Sequence, residues 1–143
     1  MTIARVLAGR TVSTIVTATA DMSVHEVIGL LAVHRIGALP VMEGDRVAGI
    51  FSERDVLYCL AREGAAALDR TAREVMTAPA ITVSPETSVL SALSLMTRRR
   101  IRHLPVVDNG RVAGFVSIGD LVKFRIDAIE REAEALRSYI QAG

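Results

Sequence analysis

Two short segments of the sequence place a hydroxyl and a carboxylate at the same spacing. Ser52 is followed by Asp55, and Ser117 is followed by Asp120, each pair directly after a run of apolar residues. The pattern is typical of a helix start, where the serine caps the first turn and the acid completes a capping box. The same geometry suits a ligand, because N–H groups at a helix start attract phosphate and a carboxylate there can accept hydrogen bonds from both ribose hydroxyls. Both interpretations remain open for each pair.

A basic segment carries a second set of candidate groups. Arg102 and His103 directly precede an apolar, strand-like stretch, at the end of an arginine run that begins at Arg98. Arg98 and Arg99 are typical of a charged helix end, where cations oppose the helix dipole. Arg102 and His103 differ from these two because they lie directly before the strand-like stretch, and an arginine fork is able to bind phosphate through two N–H groups.

The sequence does not support other kinds of functional site. His25 and His34 are nine positions apart and do not share one helix face, and no His, Cys or Asp spacing matches a zinc site. Cys59 is the sole cysteine, lies in an apolar run, and is best explained as a small core residue. No Ser–His–Asp arrangement, P-loop or GxGxxG motif occurs. We therefore expect neither an enzyme active site nor a metal.

The charge balance restricts the partners of the protein. The chain has 17 basic and 16 acidic residues, a net charge of +1, and no general attraction to nucleic acid or to an anionic membrane. The first ten residues do not resemble a signal peptide, and no stretch reaches the roughly 18 apolar residues of a membrane span. A single cysteine suits a reducing compartment. We expect a cytoplasmic protein that binds neither nucleic acid nor membrane.

The candidate residues belong to an internal repeat with a constant offset of 65 residues. Leu39-Pro40-Val41 recurs as Leu104-Pro105-Val106, and the two Ser-x-x-Asp turns follow at the same offset. A shared proline and shared polar positions at one register indicate duplication rather than a chance likeness of apolar strands.

Each copy has the pattern strand, helix, two strands, helix. Ser23 and Ser88 are predicted to cap the first helices, whose apolar residues recur at i, i+3, i+4 and i+7. The predicted strands are Ser13–Thr17, Leu39–Met42 and Arg46–Phe51 in the first copy, and Ala80–Ser84, Leu104–Val107 and Arg111–Val116 in the second. One such unit cannot bury both faces of its sheet. The expected fold is therefore α+β, with two tandem β-α-β-β-α repeats packed sheet to sheet about a pseudo-two-fold axis.

A short helix and a long helix are predicted outside this pattern. Thr71 and Glu74 form a capping box before the second copy, and a C-terminal helix runs to about Gln141. Apolar residues on the long helix are spaced 4, 3, 4, 3, 4, as in a coiled-coil seam: Val122, Ile126, Ile129, Ala133, Leu136 and Ile140. The seam packs either on its own domain or on a partner chain; because it projects past the second copy, we favour a homodimer. The expected domains are residues 1–65 (first copy with an N-terminal helix), 66–125 (second copy) and 126–143 (helical extension).

These motifs resemble the cystathionine-β-synthase-type (CBS) domain, and two in tandem resemble a Bateman module. The order Leu-Pro-Val, acidic turn, Val-x-Gly, two hydrophobic residues, Ser-x-x-Asp is typical of the family, and the resemblance covers about residues 11–125. It implies an energy- or redox-sensing regulatory module that binds an adenine nucleotide, with AMP favoured and ATP, ADP or NAD as alternatives. The module would act through an unknown regulated protein or through rearrangement of a homodimer that is joined by the CBS faces and the C-terminal helix. The alternative is an interaction protein whose clefts are vestigial.

The resemblance also implies which residues contact the ligand. In the family the aspartate contacts ribose, the hydroxyl three positions earlier contacts ligand oxygens, and basic residues before Leu-Pro-Val meet phosphates in the γ subunit of AMP-activated protein kinase. An apolar slot would hold the adenine, and Ile50, Phe115, Pro40 and Pro105 are the candidates for it, although each could equally be a core residue. On this sequence the set comprises Gly37, Ala38, Pro40, Ile50, Ser52, Arg54, Asp55, Arg102, His103, Pro105, Phe115, Ser117, Gly119 and Asp120.

The repeat predicts that the two clefts differ in charge. Gly37 and Ala38 occupy the positions that Arg102 and His103 occupy in the second copy. Arg54, whose mate is a glycine, either adds a phosphate contact or is simply exposed. We expect the cleft with Arg102, which by analogy faces Asp55, to prefer AMP over adenosine, and the other cleft to be less sensitive to phosphate. His103 would add a pH dependence near its ordinary pKa of about 6.5.

Overall fold

Two antiparallel hairpins of the same design form the sheets of the structure, a computed structural model that describes residues 1–142. In the first copy β2 (Ala38–Glu43) pairs with β3 (Arg46–Ser52). In the second copy β4 (His103–Asp108) pairs with β5 (Arg111–Ser117), and each hairpin has a bulge at the equivalent position. Strands β3 and β5 lie in contact, so the two copies meet through their sheets.

The helices follow the order that the sequence predicts. They are α1 (Ile3–Val6), α2 (Val24–His34), α3 (Glu53–Glu63), α4 (Ala72–Val75), α5 (Val89–Arg99) and α6 (Ile118–Ala142). A 3-10 helix, Gly64–Asp69, links α3 to α4. Ser23 caps α2 and Thr71 caps α4, each in a complete capping box, and Ser88 caps α5. The α+β prediction with two tandem repeats and a C-terminal helix is confirmed.

The first strand of the first copy differs from the prediction. Ser13–Thr17 was expected to be extended, but a 3-10 turn occupies Val12–Thr14 and β1 is confined to Ala18–Thr19. Strand β1 pairs in parallel with β2. A strand needs a neighbouring edge to pair with, and the chain reaches the edge of β2 only at Ala18. In the second copy the equivalent contact is an isolated bridge between Val83 and Val106.

Each copy has its own apolar core, and a short helix completes each core. The short helix that precedes the first copy in sequence packs in the core of the second copy, and the helix that precedes the second copy packs in the core of the first. Helix α1 buries Ile3 and Val6 in the core of the second copy, and α4 buries Ala72 in the core of the first. The Ile3 N–H donates to the Thr87 carbonyl at 2.8 Å, and the Ala72 N–H donates to the Met22 carbonyl at 2.7 Å. Packing therefore crosses the boundary expected at residue 65, and the N-terminal helix lies against the second copy. The predicted extension, 126–143, is continuous with α6, and its last position lies outside the described residues.

Two equivalent glycines differ in the space around them, which gives a stability prediction. A Cβ on Gly49 would lie 2.7 Å from the Thr77 backbone oxygen and 2.7 Å from the Met76 sulfur. A Cβ on Gly114 would lie 2.6 and 2.7 Å from the two terminal methyls of Leu7, the far end of a flexible side chain that is only partly buried and can shift. We expect Gly49→Ala to cost about 1–3 kcal/mol of unfolding free energy, and Gly114→Ala distinctly less. Urea unfolding of both variants measures this, and equal losses would contradict it.

Helix α6 is apolar on two faces. Leu121 is buried in the core of the second copy with Phe124 half-buried beside it, and Ala128 is buried one turn further along the helix. The predicted seam lies on the other side, where Ile126 is 50 % exposed and Leu136 is 61 % exposed. The seam therefore does not pack on its own domain. Within residues 1–142, no helix combines the length and the apolar character that crossing a membrane requires.

Candidate functional site

Two clefts lie side by side where the copies meet. One contains Asp55 and has a volume of about 480 Å³, and the other contains Asp120 and has a volume of about 440 Å³. Gly37, Ala38 and His103 line both clefts and form the wall between them. Both volumes fall in the range of about 300–1,000 Å³ that is usual for small-molecule sites.

In the Asp55 cleft, every oxygen of the aspartate has a neutral hydrogen-bond partner. Its Oδ2 atom accepts from the Ser52 N–H at 2.9 Å and from the Ser52 hydroxyl at 3.1 Å. Its Oδ1 atom accepts from the Thr77 hydroxyl at 3.0 Å. Thr77 is held there by paired backbone hydrogen bonds with Ile50 on β3. Asp55 therefore completes the predicted helix cap through Oδ2. Its Oδ1 atom contacts Thr77, which lines the same cleft.

Arginines from both copies line the Asp55 cleft. Arg54 comes from the start of α3, while Arg100 and Arg102 come from the segment between α5 and β4. The Arg54 guanidinium donates to the Arg100 carbonyl at 3.3 Å, which ties the two copies together across the cleft. Planar guanidinium groups on two sides of a cavity suit an anionic, phosphate-like group.

In the Asp120 cleft, the aspartate meets a cation. The Ser117 N–H donates to Asp120 Oδ2 at 2.9 Å, and the Asp120 N–H donates to the Ser117 hydroxyl at 3.0 Å, so the cap matches that of the other copy. The Oδ1 atom instead forms an ion pair at 3.4 Å with Arg10, from the segment that follows α1. Arg35, at the end of α2, also lines this cleft.

His103 connects the two clefts. Its ring stacks on Phe115, with centroids 5.6 Å apart and an interplanar angle of 11°. Burial lowers the pKa of His103 below its ordinary 6.5; the negative charges of Asp120 and Glu53 act in the opposite direction, and Arg102 adds to the lowering. Burial therefore favours the neutral imidazole, so protonation of His103 in the unliganded protein is expected below pH 6.5.

The structure brings most of the predicted site residues into the clefts and leaves three outside. Gly37, Ala38, Ile50, Ser52, Arg54, Asp55, Arg102 and His103 line the Asp55 cleft, and Phe115, Ser117 and Asp120 line the other. Of the described residues, Pro40, Pro105 and Gly119 line neither cleft. The prolines are buried within β2 and β4, so they cannot form the predicted adenine slot. Gly119 is exposed at the start of α6.

Sequence reasoning missed several lining residues. Tyr58, Thr77 and Arg100 in one cleft, and Arg10 and Arg35 in the other, were not singled out. Arg35 and Arg100 stand at the same position of the repeat, and both end a helix in the left-handed conformation, with φ of 52° and 55°. Their equivalence was readable in the sequence. The approach of Arg10 to Asp120 was not, because it depends on α1 packing against the second copy.

The expectation about charge also changes. Because Gly37 and Ala38 take the positions of Arg102 and His103, we expected the Asp120 cleft to be less sensitive to phosphate. Arg10 and Arg35 nevertheless line this cleft. Within residues 1–142 no three His, Cys, Asp or Glu side chains are grouped as a metal site. The arginines, the two aspartates and their serine caps supply charged and polar groups to the clefts.

Comparisons with known proteins agree with this architecture. The sequence model of the CBS domain family matches residues 11–62 and 72–127. The CBS domain-containing protein CBSX3, mitochondrial, from Arabidopsis thaliana is 38 % identical over 130 residues; the match covers 87 % of this chain and 63 % of that relative. The chain thus spans less than two thirds of the length of that relative.

Solved structures give the same result. A putative signal-transduction protein with CBS domains from Burkholderia ambifaria superposes with a TM-score of 0.81 at 40 % identity, over 89 % of this chain and 95 % of that one. The CBS domain pair of protein MJ0100, solved with 5′-methylthioadenosine and S-adenosyl-L-methionine, has a TM-score of 0.76 at 25 % identity, over 90 % and 98 %. CBSX2, solved with AMP, has the same fold, with a TM-score of 0.77 at 22 % identity, over 89 % and 97 %. Repeats, fold and relatives lead to one conclusion: this chain belongs to the CBS domain family, as a tandem pair.

Proposed function

We propose that this protein is a regulatory module that binds an adenine nucleotide in the clefts between its two CBS domains and catalyses no reaction. One observation carries the proposal. In each cleft a strand leads into a capped helix whose aspartate faces the cavity, and arginines approach from other segments. A carboxylate next to cations suits a ligand that joins a diol to a phosphate. AMP is the favoured ligand, with ATP, ADP or NAD as alternatives.

The ligands of structural neighbours support the chemical class. The MJ0100 pair was solved with two adenosine-containing molecules and CBSX2 with AMP. The adenine would pack on the apolar part of a cleft, where Ile50 and Ile81 lie in one and Phe115 and Ile15 in the other.

The signal would pass through the contact between copies. Both clefts are lined by residues of both repeats, so a bound nucleotide bridges them. A ligand shifts the relative placement of the copies only if it binds one arrangement more tightly than another. Helix α6 is continuous from the Asp120 turn to its exposed seam, which links the cleft to the surface that we propose for a second copy. A regulated protein, in the cytoplasm, would then read the state of the dimer.

A second candidate is an interaction protein whose clefts no longer bind a ligand. This candidate is favoured because both aspartates already have partners within the protein: the Thr77 hydroxyl contacts Asp55, and the Arg10 guanidinium contacts Asp120. A thermal-shift screen separates the candidates. A ligand at about 100 times its Kd adds about 2.7 kcal/mol, which corresponds to roughly 5–10 °C for a chain of this size.

The screen should include AMP, ADP, ATP, NAD, NADH and S-adenosylmethionine, with CMP, UMP and inorganic phosphate as controls. We expect at least one adenine compound to raise Tm by several degrees, and the pyrimidine nucleotides to have little effect. No shift with any adenine compound, even at millimolar concentration, would favour the interaction protein instead.

A further inference from the structure

The segment after α1 is longer than its counterpart in the second copy. Leu7 packs on Gly114 as Met76 packs on Gly49, so these two residues are structural equivalents. After this segment the two copies are again offset by 65 residues, because Ala18 pairs with Val41 on β2 and Val83 pairs with Val106 on β4. Seven residues (8–14) connect Leu7 to Ile15, whereas three residues (77–79) connect Met76 to Ala80. The first connection therefore has four additional residues.

This longer connection places Arg10 on the carboxylate of Asp120. Arg10 Nη2 lies 3.4 Å from Asp120 Oδ1, while in the other cleft the equivalent oxygen of Asp55 accepts from the neutral Thr77 hydroxyl. The side chains of Arg10 and Asp120 are 42 % and 34 % exposed, so the pair is solvated. A pair of this kind is weak, on the order of 0–1 kcal/mol, and is therefore readily exchanged for a better partner.

We propose that Arg10 makes the Asp120 cleft selective for phosphorylated nucleosides; this rests on the proposed function. A ribose that uses Asp120 must share or displace the Oδ1 contact with Arg10. Adenosine offers the released guanidinium no replacement. A nucleoside phosphate offers an anion in the same cleft, and arginine binds phosphate oxygens through two N–H groups.

Arg10 therefore opposes one ligand and favours the other. It competes with the ribose of adenosine for the carboxylate, but moves onto the phosphate of AMP. Arg35 and the hydroxyls of Thr11 and Thr14 line the same cleft and add polar groups around that phosphate. The Asp120 cleft should then bind AMP more tightly than adenosine. From Gly37 and Ala38 alone, this cleft was expected to be less sensitive to phosphate.

The test uses the full chain labelled with ¹⁵N and titrated with AMP or with adenosine. The Gly119 amide, next to Asp120 and outside the Asp55 cleft, reports binding in the Asp120 cleft. In Arg10→Ala we expect AMP to bind about tenfold more weakly, and adenosine to bind up to about fivefold more tightly. Arg10→Lys should lie between Arg10→Ala and the wild type, because it keeps the charge without the fork. Arg98→Ala, which removes an exposed arginine on α5, is the matched control and should change neither affinity.

The affinities for AMP and adenosine should change in opposite directions in Arg10→Ala. If Arg10 had only a structural role, its loss would loosen the cleft and weaken the binding of both ligands. The inference is overturned if the ratio of the AMP and adenosine affinities measured at Gly119 is the same in Arg10→Ala and in the wild type. It is also overturned if Gly119 does not respond to ligand while amides of the Asp55 cleft do. In both cases the proposed function stands. If no amide in either cleft responds to any adenine ligand, the proposed function fails and this inference fails with it.

Discussion

Asp55→Asn is expected to weaken adenine nucleotide binding in its cleft by roughly 10- to 150-fold, the range for losing a hydrogen bond to a charged group. Asp55 Oδ1 faces Thr77 and the cavity, while Oδ2 serves the helix cap. A ribose presents two hydroxyl donors, and an amide offers one acceptor oxygen where the carboxylate offers two. Asparagine can keep the backbone cap through that oxygen, so the fold should persist while recognition of the diol is lost.

The chain supplies its own control for the loss of a charge at a helix start. Ser23 and Glu26 form a capping box of the same kind on α2, outside both clefts. Glu26→Gln should reduce stability by an amount similar to that in Asp55→Asn, within about 1 kcal/mol, but leave binding unchanged. Calorimetric titration gives the affinities and thermal unfolding gives the stabilities. Unchanged affinity and stoichiometry in Asp55→Asn would show that this carboxylate is a cap and nothing more.

Ile129→Asp combined with Leu136→Asp is expected to convert a dimer into monomers. These residues lie in the middle of the seam on α6, 48 % and 61 % exposed in the single chain. The opposite side of the helix already packs on the second copy through Leu121 and Phe124. An apolar seam with coiled-coil spacing and polar neighbours fits a second copy of itself. Burying four carboxylates per dimer should weaken association at least about a thousandfold.

Light scattering after size-exclusion chromatography gives the mass of each species. The matched control is Ser138→Asp with Gln141→Asp, which adds the same two charges to α6 but away from the seam. This control should remain dimeric at micromolar concentration. A wild-type chain that is monomeric under those conditions would remove the dimer from the proposed function, and a dimer unaffected by the seam variant would place the interface elsewhere.

The repeated design was readable from the sequence because local chemistry specifies it. A serine cap with its acid three residues later produces a helix start wherever the preceding strand is apolar, and the structure shows this at Ser52 and at Ser117. The hairpins and their bulges recur at the same offset for the same reason. The strand expected at 13–17 was wrong because pairing depends on a neighbouring edge, which local composition does not encode.

The sequence by itself determined the two-copy α+β fold, the aspartates in the first turn of the second helices, and the apolar seam on the last helix. Only the tertiary structure decided which residues share a cleft. Helix α1 crosses to the core of the second copy, and this crossing brings Arg10 to Asp120, a pairing across 110 positions of sequence. It also decided that Pro40 and Pro105 are buried in their strands instead of lining a ligand slot. Contacts between distant segments follow from how two cores pack together, and no periodicity or spacing along the chain records that packing.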